Sequence, residues 1–501
     1  MLSWFPVLPG GVHWTEAGQK ILCDAPIGVE LRVEPAIKSA PILRADKPWE
    51  AGDLGWAQVI RDQGRYRMWY QTKPARDKTT GAKGPSYLCY AESDDGFHWR
   101  KPELGLFEFD GDKSNNILRI ADKGFFVFRD PTAPPKERYR MMTRRVWHEG
   151  DDGKILTPAE VQQRRTHNNE IKAGRAKGTP LPMRHQNVIV ASHSTDGLRW
   201  TRYPEPILSD GGSHDTQNTF TRDPKRGTFV GYFRSFYGYR RAIGRSETED
   251  FLRWPDTRWN HHALVQDAPD ATLYSNAYSR YPGNPDIHLM FPAIYHQLAD
   301  ATDAQLMVSM DGLNWSRHTN RPIIQRGRPD ERDQGGIYPV PQLLRFPDDR
   351  KFRIPIRQAG TFHNQAYQRQ QTGRPTDALA WAEWEEDRLA GITAPDTGQF
   401  TLAPMSCGDQ LLVNFRTEKD GWIRFELAPP PVWPPLPAKG IEGYRFEDMK
   451  PMTGNRSHVP VEWTGKTGLS VHKGKRLSIR VRLHKATLYS VAMTGRFPAD
   501  K

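Results

Sequence analysis

Five times along the chain a short, largely apolar strand returns: Tyr66-Arg67-Met68-Trp69-Tyr70, Tyr139-Arg140-Met141-Met142, Phe229-Val230-Gly231-Tyr232-Phe233, His288-Leu289-Met290-Phe291 and Phe352-Arg353-Ile354-Pro355-Ile356. Each follows a hairpin rich in Arg, Asp, Pro or Gly, and each leads into a further strand that usually ends in a Ser, Asp and Trp turn. Strand-rich repeats of this size, punctuated by turns, predict a β-propeller whose blades surround a central funnel. The expected fold class is therefore all-β: a five-bladed β-propeller followed by a C-terminal β-sandwich.

The hairpins include Arg61-Asp62-Gln63-Gly64, Arg129-Asp130-Pro131, Arg222-Asp223-Pro224, Arg280-Tyr281-Pro282-Gly283 and Arg345-Phe346-Pro347-Asp348. Gly and Pro set turn dihedrals, and Asp can accept from the backbone two residues on, so these are turn residues first. Reading backward from them predicts inner strands over Trp56–Ile60, Phe125–Phe128, Thr216–Thr221, Leu273–Ser279 and Ile337–Leu344. The exits Ser93-Asp94-Asp95-Gly96-Phe97-His98-Trp99, Ser194-Thr195-Asp196-Gly197-Leu198-Arg199-Trp200 and Ser309-Met310-Asp311-Gly312-Leu313-Asn314-Trp315 share one design. Ser and Asp satisfy backbone donors, Gly permits positive φ, and Trp wedges between neighbouring sheets, so these residues identify the fold and not a site.

The propeller is expected to span residues 1–395, with an insertion at about 148–185. There, Thr157, Pro158 and Glu160 form a capping-box helix start, suited to a lid or an interface arm. Residues 396–501 are expected to form the β-sandwich, because Ile479, Val481 and Leu483 alternate with Arg480, Arg482 and His484.

A formal charge of +12 and 71 Lys and Arg against 59 Asp and Glu favour anionic ligands, yet no long basic run appears. Basic residues are not interleaved with exposed aromatics along a strand face, so no nucleic-acid partner is expected. Cys23, Cys89 and Cys407 lie far apart without CxxC spacing. Neither a zinc ribbon nor a disulfide framework is indicated, and they are expected in the core. No apolar run is long enough to span a membrane, and no secretory leader is visible at Met1-Leu2-Ser3-Trp4. A cytoplasmic location is expected, or a secreted or periplasmic one if a leader has been removed. A homo-oligomer is compatible with the sequence.

In a propeller the inner strands line the axis, so residues at their starts converge on one mouth of the funnel. Those starts carry Glu50, Asp53, Asp122, His214, Asp215, Asp270, Glu331 and Asp333. Crowded carboxylates cost stability and perturb one another's pKa, which suits glycosidic bond cleavage by an acid paired with a nucleophile or base. Asp215 and Asp333 are the leading catalytic candidates, with Glu50, Asp53 or Asp270 supplying a further carboxylate and His214 orienting its neighbour. At equivalent places on the middle strands stand Gln71, Arg144, Arg234, Ala293 and Arg357. The three arginines are expected either to bind substrate anions or hydroxyls, or to pair with the funnel acids. Trp56, Tyr274, Tyr338 and Tyr295 are placed to stack on sugar faces.

With these features the chain resembles the five-bladed propeller glycoside hydrolases of families 32, 43 and 68, many of which carry a C-terminal β-sandwich. Pro102-Glu103-Leu104-Gly105 and Asn115-Asn116-Ile117, together with the Ser-x-Asp-Gly-x-x-Trp turns, look like a bacterial branch related to family 32. The resemblance implies a carbohydrate substrate, hydrolysis through acids on the inner strands, and neither a cofactor nor a metal. The family's Asn-Asp-Pro-Asn-Gly and Glu-Cys motifs are absent. Arg129-Asp130-Pro131 looks like the family's stabiliser motif, but Arg222-Asp223-Pro224 duplicates it, so Asp130 ranks below Asp215 and Asp333. Two alternatives stay open: a non-catalytic carbohydrate-binding propeller, and a lyase or phosphorylase on the same fold.

Overall fold

The computed structural model describes residues 1–494 apart from 76–83, 151, 153, 257–261, 266–268, 318–320, 366–376 and 467. Among them, strands dominate and the only α-helix is Pro158–Lys172. The arrangement is that of an all-β molecule, consistent with a propeller joined to a β-sandwich.

Four antiparallel four-stranded sheets follow one another in chain order. The first runs Asp53–Asp62, Arg65–Lys73, Tyr87–Ser93 and Ile117–Ile120. The second runs Lys123–Arg129, Tyr139–Glu149, Arg184–Ser194 and Thr201–Leu208. The third runs Thr219–Arg222, Phe229–Tyr237, Arg240–Thr248 and His262–Val265. Tyr278–Tyr281, Asn284–Met290, Met307–Ser309 and Ser316–Arg317 make the fourth. In the fifth repeat Gly336–Pro339 pairs with Lys351–Ala359, which pairs with Ala378–Glu385. The free edge of Ala378–Glu385 is then covered by Ile37–Lys38 and Leu43–Arg44 from near the N-terminus, which removes an exposed strand edge.

Two expected strands divide. Leu273–Ser279 is not continuous: Ala271–Leu273 pairs with Ala293–His296, whereas Tyr278–Tyr281 pairs with Asn284–Met290. Pro292 interrupts the partner strand because it lacks a ladder donor. The Asn276 side chain takes over at the break, accepting from Tyr278 N at 3.0 Å and donating to the Tyr232 carbonyl at 3.1 Å. Ala301–Ala304, which pairs with Ala293–His296, joins the fifth repeat through a parallel contact between Thr302 and Gly336. Ile337–Leu344 likewise splits into Gly336–Pro339 and Leu344–Phe346, interrupted after Pro339 and across Pro341.

The turns behave as the sequence implies. Asp95 Oδ1 accepts from Phe97 N at 2.7 Å and His98 N at 2.8 Å, and Gly96 holds φ at 81°. Each turn also docks on a neighbouring repeat through its glycine carbonyl. Gly96 O accepts from Trp381 Nε1 at 2.9 Å, Gly197 O from Trp69 Nε1 at 2.7 Å, and Gly312 O from the Tyr232 hydroxyl at 2.9 Å. The fifth repeat is thereby tied to the first, the first to the second, and the third to the fourth. Among the described residues the inner strands of the first three sheets do not pair with one another, so buried side-chain amides satisfy their inward backbone groups. Gln217 Nε2, for example, donates to Ala57 O at 2.7 Å and Phe125 O at 3.1 Å.

Two cavities mark the ends of these inner strands. One, of about 680 Å³, is lined at the hairpin end by Arg61, Arg129, Arg222, Arg280 and Leu344, one from each repeat. The other lies at the opposite ends of the strands and is described below.

Beyond the repeats, Ala390–Ser406, Arg476–Met493, Leu411–Ala428 and Asn455–Pro460 form a sheet in that order, and Glu30–Val33 from the N-terminal region adds its fifth strand. Ile479, Val481 and Leu483 are fully buried on one face. The apolar core is continuous from Phe352 and Ile354 through Leu389 to Val481 and Leu483. All three cysteines are free and buried.

Candidate active site

The second cavity, of about 190 Å³, opens where the inner strands begin. Trp56 from the first sheet, Lys123 from the second, Asp215 before the third, Tyr274 from the fourth repeat and Tyr338 from the fifth all reach its wall. Residues distant in the chain are thus gathered at one place. Close approach of the strands makes this possible: Gly124 holds φ at +64°, and a Cβ there would meet the Thr216 carbonyl oxygen at 2.1 Å.

Three aromatic rings make the apolar wall. Trp56 and Tyr274 stack with centroids 6.3 Å apart, and Tyr338 stands edge-on to Tyr274 at 5.7 Å. Asp53, the first residue of its strand, sits beside them. Burial and the neighbouring Asp377 raise its pKa to about 8 against the opposing pull of Arg357. Asp377 is clamped instead: Arg357 Nε and Nη2 both approach its Oδ2 at 2.9 Å. Although burial works against its charge, Asp377 and Asp53 hold Arg357 above its ordinary pKa. Asp53 is therefore a carboxylic acid at neutral pH, beside a carboxyl group that Arg357 grips.

Asp215 occupies the mouth, its side chain half exposed, with Arg144 Nη1 at 3.6 Å. Asn187 Oδ1 fixes that guanidinium, accepting from Nε at 3.1 Å and Nη2 at 2.6 Å. Arg234 is buried behind Tyr274, 4.9 Å from its ring centroid. The structure thus brings together Asp53, Asp215, Trp56, Tyr274, Tyr338 and Arg357, with Arg144 and Arg234 directly behind. Gln71 also lines the cavity, and Ala293 packs against Tyr338.

Several of the expected site residues lie elsewhere. Asp333 is buried under Lys38 Nζ, a residue of the N-terminal edge strand, and does not line the cavity. Glu50 is wholly buried, accepting from the Tyr70 hydroxyl at 2.6 Å, Lys101 Nζ at 2.7 Å and Asp46 N at 3.0 Å. Its oxygens are consumed in holding the first sheet. Asp270 accepts through its backbone carbonyl from Gln297 N at 2.8 Å, outside the cavity wall. His214 is buried against Phe233 with its Nε2 2.8 Å from Asp210 Oδ1, so it orients a loop and not the substrate. Asp122 is shared by Arg119 and Arg202, and Asp130 accepts from both Thr132 N and its hydroxyl, as a turn residue does.

Two groups lie outside the sequence expectations, Asp377 beside Asp53 and His363 on the cavity wall. Asp377 stands just before a third strand, whereas those expectations cover only the starts of inner strands. Its signal is positional: Leu379 faces Arg357 across the ladder, and Asp377 lies two residues away on the same face. His363 lies in the turn beyond Ala359, its Nδ1 2.7 Å from the Tyr338 hydroxyl. Burial and the surrounding arginines lower its pKa to about 4, so it is neutral at physiological pH.

The insertion also lies on this side. Lys123 pairs with Arg144, and the hairpin continues past it to Glu149 opposite Arg184 before the helix Pro158–Lys172. The helix starts as expected, with Glu160 N donating to Thr157 Oγ1 at 3.3 Å and Thr157 N to Glu160 Oε2 at 2.6 Å.

No family model matches the chain, and no curated protein matches it. Among solved structures it is similar to BT0996 in a complex with RGII, at 13% identity and a TM-score of 0.44, covering 70% of this chain and 92% of that one. It is also similar to an N-acetylgalactosamine deacetylase from F. plautii in complex with blood group B trisaccharide, at 13% identity and a TM-score of 0.41, covering 72% and 96%. A third is the Bombyx mori GH32 beta-fructofuranosidase BmSUC1, at 10% identity and a TM-score of 0.39, covering 93% and 95%. Glycoside hydrolases stand among these structures.

Proposed function

We propose that the protein is a glycoside hydrolase acting on an oligosaccharide or glycoside in the funnel of a five-bladed propeller, residues 1–395, joined to a β-sandwich, residues 396–501. The reading rests on one observation above all: two acids of opposite character share a cavity walled by aromatic rings. Asp53, protonated at neutral pH by burial and by Asp377, is the general acid that donates to the leaving oxygen. Asp215, solvent-accessible and facing Arg144, is the carboxylate that attacks the anomeric carbon or activates water. Arg357 grips Asp377 beside Asp53, and burial together with Asp377 keeps the proton on Asp53 against the pull of Arg357. Trp56, Tyr274 and Tyr338 offer apolar faces on which a sugar ring packs. Asp333 and Glu50 have no part in this scheme, since both are bonded away from the cavity.

The test is turnover of aryl glycosides and polysaccharides by the wild type and by Asp53→Asn and Asp215→Asn, each with and without inorganic phosphate. Phosphate-independent release that both substitutions abolish supports hydrolysis. Full activity in both variants removes the assignment, phosphate-dependent release replaces it by phosphorolysis, and binding without release leaves a carbohydrate-binding protein.

A further inference from the structure

Beside the cavity two guanidinium groups, one buried and one half buried, lack a counter-ion among the described residues. Arg234 is only 8% exposed and Arg241, on the adjacent strand, is half buried. Both donate to neutral oxygens: Arg234 Nη2 to the Tyr274 carbonyl at 3.3 Å, and Arg241 Nη1 to the Thr272 hydroxyl at 3.4 Å. The Nε of each is buried with no hydrogen-bond partner. Both lie over the Tyr274 ring, at 4.9 and 5.8 Å, and Arg241 also lies 5.6 Å from the centroid of Tyr295. Among the described residues neither makes an ion pair, and Asp215 acts on Arg234 only at longer range.

Other arginines on the middle strands are treated differently. Arg144 faces Asp215, Arg357 faces Asp377, and Arg353 is held by both Asp349 and Glu383. A buried cation without a carboxylate carries an uncompensated desolvation cost, which aromatic faces offset only in part. Two such cations side by side also repel one another. A ligand oxyanion would relieve both costs, because guanidinium donors match its geometry. The neutral His363, in ring contact with Tyr274 and Tyr295 at 4.8 and 4.9 Å, contributes hydrogen bonding and no competing charge. On the cavity wall Lys123 is exposed and forms no ion pair among the described residues, so positive charge exceeds negative around the site.

We infer that Arg234 and Arg241 form a subsite for an oxyanion carried by the sugar, so that the substrate is an acidic glycan bearing a uronate carboxylate or a sulfate ester. The inference rests on the proposed glycosidase reading for the bond that is cleaved, but what it claims is a binding preference. Calorimetric titration of the full chain with glucuronate, galacturonate, a glucose sulfate, the neutral sugars glucose and galactose, and inorganic phosphate tests it. At least one acidic sugar should bind roughly tenfold or more tightly than its neutral counterpart, a margin fitting a charge-assisted contact. Which acidic sugar leads distinguishes carboxylate from sulfate. Arg241→Gln and Arg234→Gln should erase the preference, and Arg241→Lys should keep part of it. Melting curves show whether Arg234→Gln folds, and Arg241→Gln decides the matter if it does not.

Equal affinity for acidic and neutral sugars overturns the inference, as does a preference that survives in the folded Gln variants. Binding of phosphate alone, with no preference between sugars, also overturns it and assigns the arginines to a free anion. An acidic preference in a protein that cleaves no glycoside leaves the subsite standing and removes the hydrolase reading.

Discussion

Glu50 and Asp53 lie three residues apart at the entrance to the same strand, yet the fold assigns them opposite tasks. Glu50 is surrounded by donors, with the Tyr70 hydroxyl, the Lys101 ammonium and the backbone amides of Asp46 and Lys47 all directed at its oxygens. Asp53 meets another carboxyl, Asp377, which Arg357 already grips. The contrast teaches that burial alone does not make an acid catalytic. What matters is whether the surrounding groups satisfy the charge or refuse it: a satisfied carboxylate holds structure, and a refused one keeps a proton that it can give away.

Substitution separates the two most sharply. Asp53→Asn is expected to cut kcat by about 10²–10⁴-fold, the usual worth of a positioned general acid, without lowering the melting temperature. Asp215→Asn should cost at least as much. Steady-state kinetics with an activated aryl glycoside sharpen the roles: an excellent leaving group needs little protonation, so its rate should recover in the Asp53 variant and not in the Asp215 variant.

Glu50→Gln should do the reverse. The change removes the buried one of the two carboxylates that Lys101 meets, Asp46 being the other, which costs about 1–3 kcal/mol, and denaturant unfolding should show the loss. If Glu50→Gln instead kept full stability and lost turnover, the contrast between the two acids would fail.

The third measure is pH. The folded-state pKa of Asp53 is raised to about 8, above the unfolded value of about 3.9. Its protonation therefore favours the folded state fully below about pH 4, and that contribution is lost as pH rises through about 8. Denaturant midpoints of the wild type should decline relative to Asp53→Asn across that window. The kcat/KM profile should show an alkaline limb near the same pH, because the acid must be protonated to act. A midpoint difference that stays flat with pH would place the proton elsewhere.

How far the sequence reveals this contrast depends on how local each feature is. The repeated turns are local, since Asp95 bonds amides two and three residues away, and their pattern is legible by inspection. The convergence of Trp56, Asp215, Tyr274 and Tyr338 follows from the repeat and is legible once the inner strands are placed. Asp333 escapes such reading because its partner, Lys38, arrives from 295 residues away on the strand that covers the last sheet. Glu50 escapes it for a similar reason, its ammonium partner Lys101 being 51 residues on. Asp377 requires cross-strand register, which spacing within one segment does not show. Strand breaks at Pro292 and Pro339 are available in the sequence, since proline cannot sustain a central ladder, but the even repeat masks them.

The smallest effect sharpens the comparison from the substrate's side. Trp56 and Trp69 are both on the first sheet, but only Trp56 faces the cavity; Trp69 is fully buried and donates to Gly197 O at 2.7 Å. Trp56→Ala removes a face on which a sugar ring packs and should raise KM by up to roughly tenfold, in line with about 0.5–1.5 kcal/mol for an aromatic contact beyond its buried area, with kcat little changed. Trp69→Ala opens a core cavity and should cost about 3–5 kcal/mol of stability without a specific rise in KM. Parallel kinetics and unfolding of the two variants compare one residue type at the cavity wall and in the core of the same sheet. A KM that ignores Trp56 would mean the sugar does not lie on the aromatic wall, and would move the substrate away from Asp53.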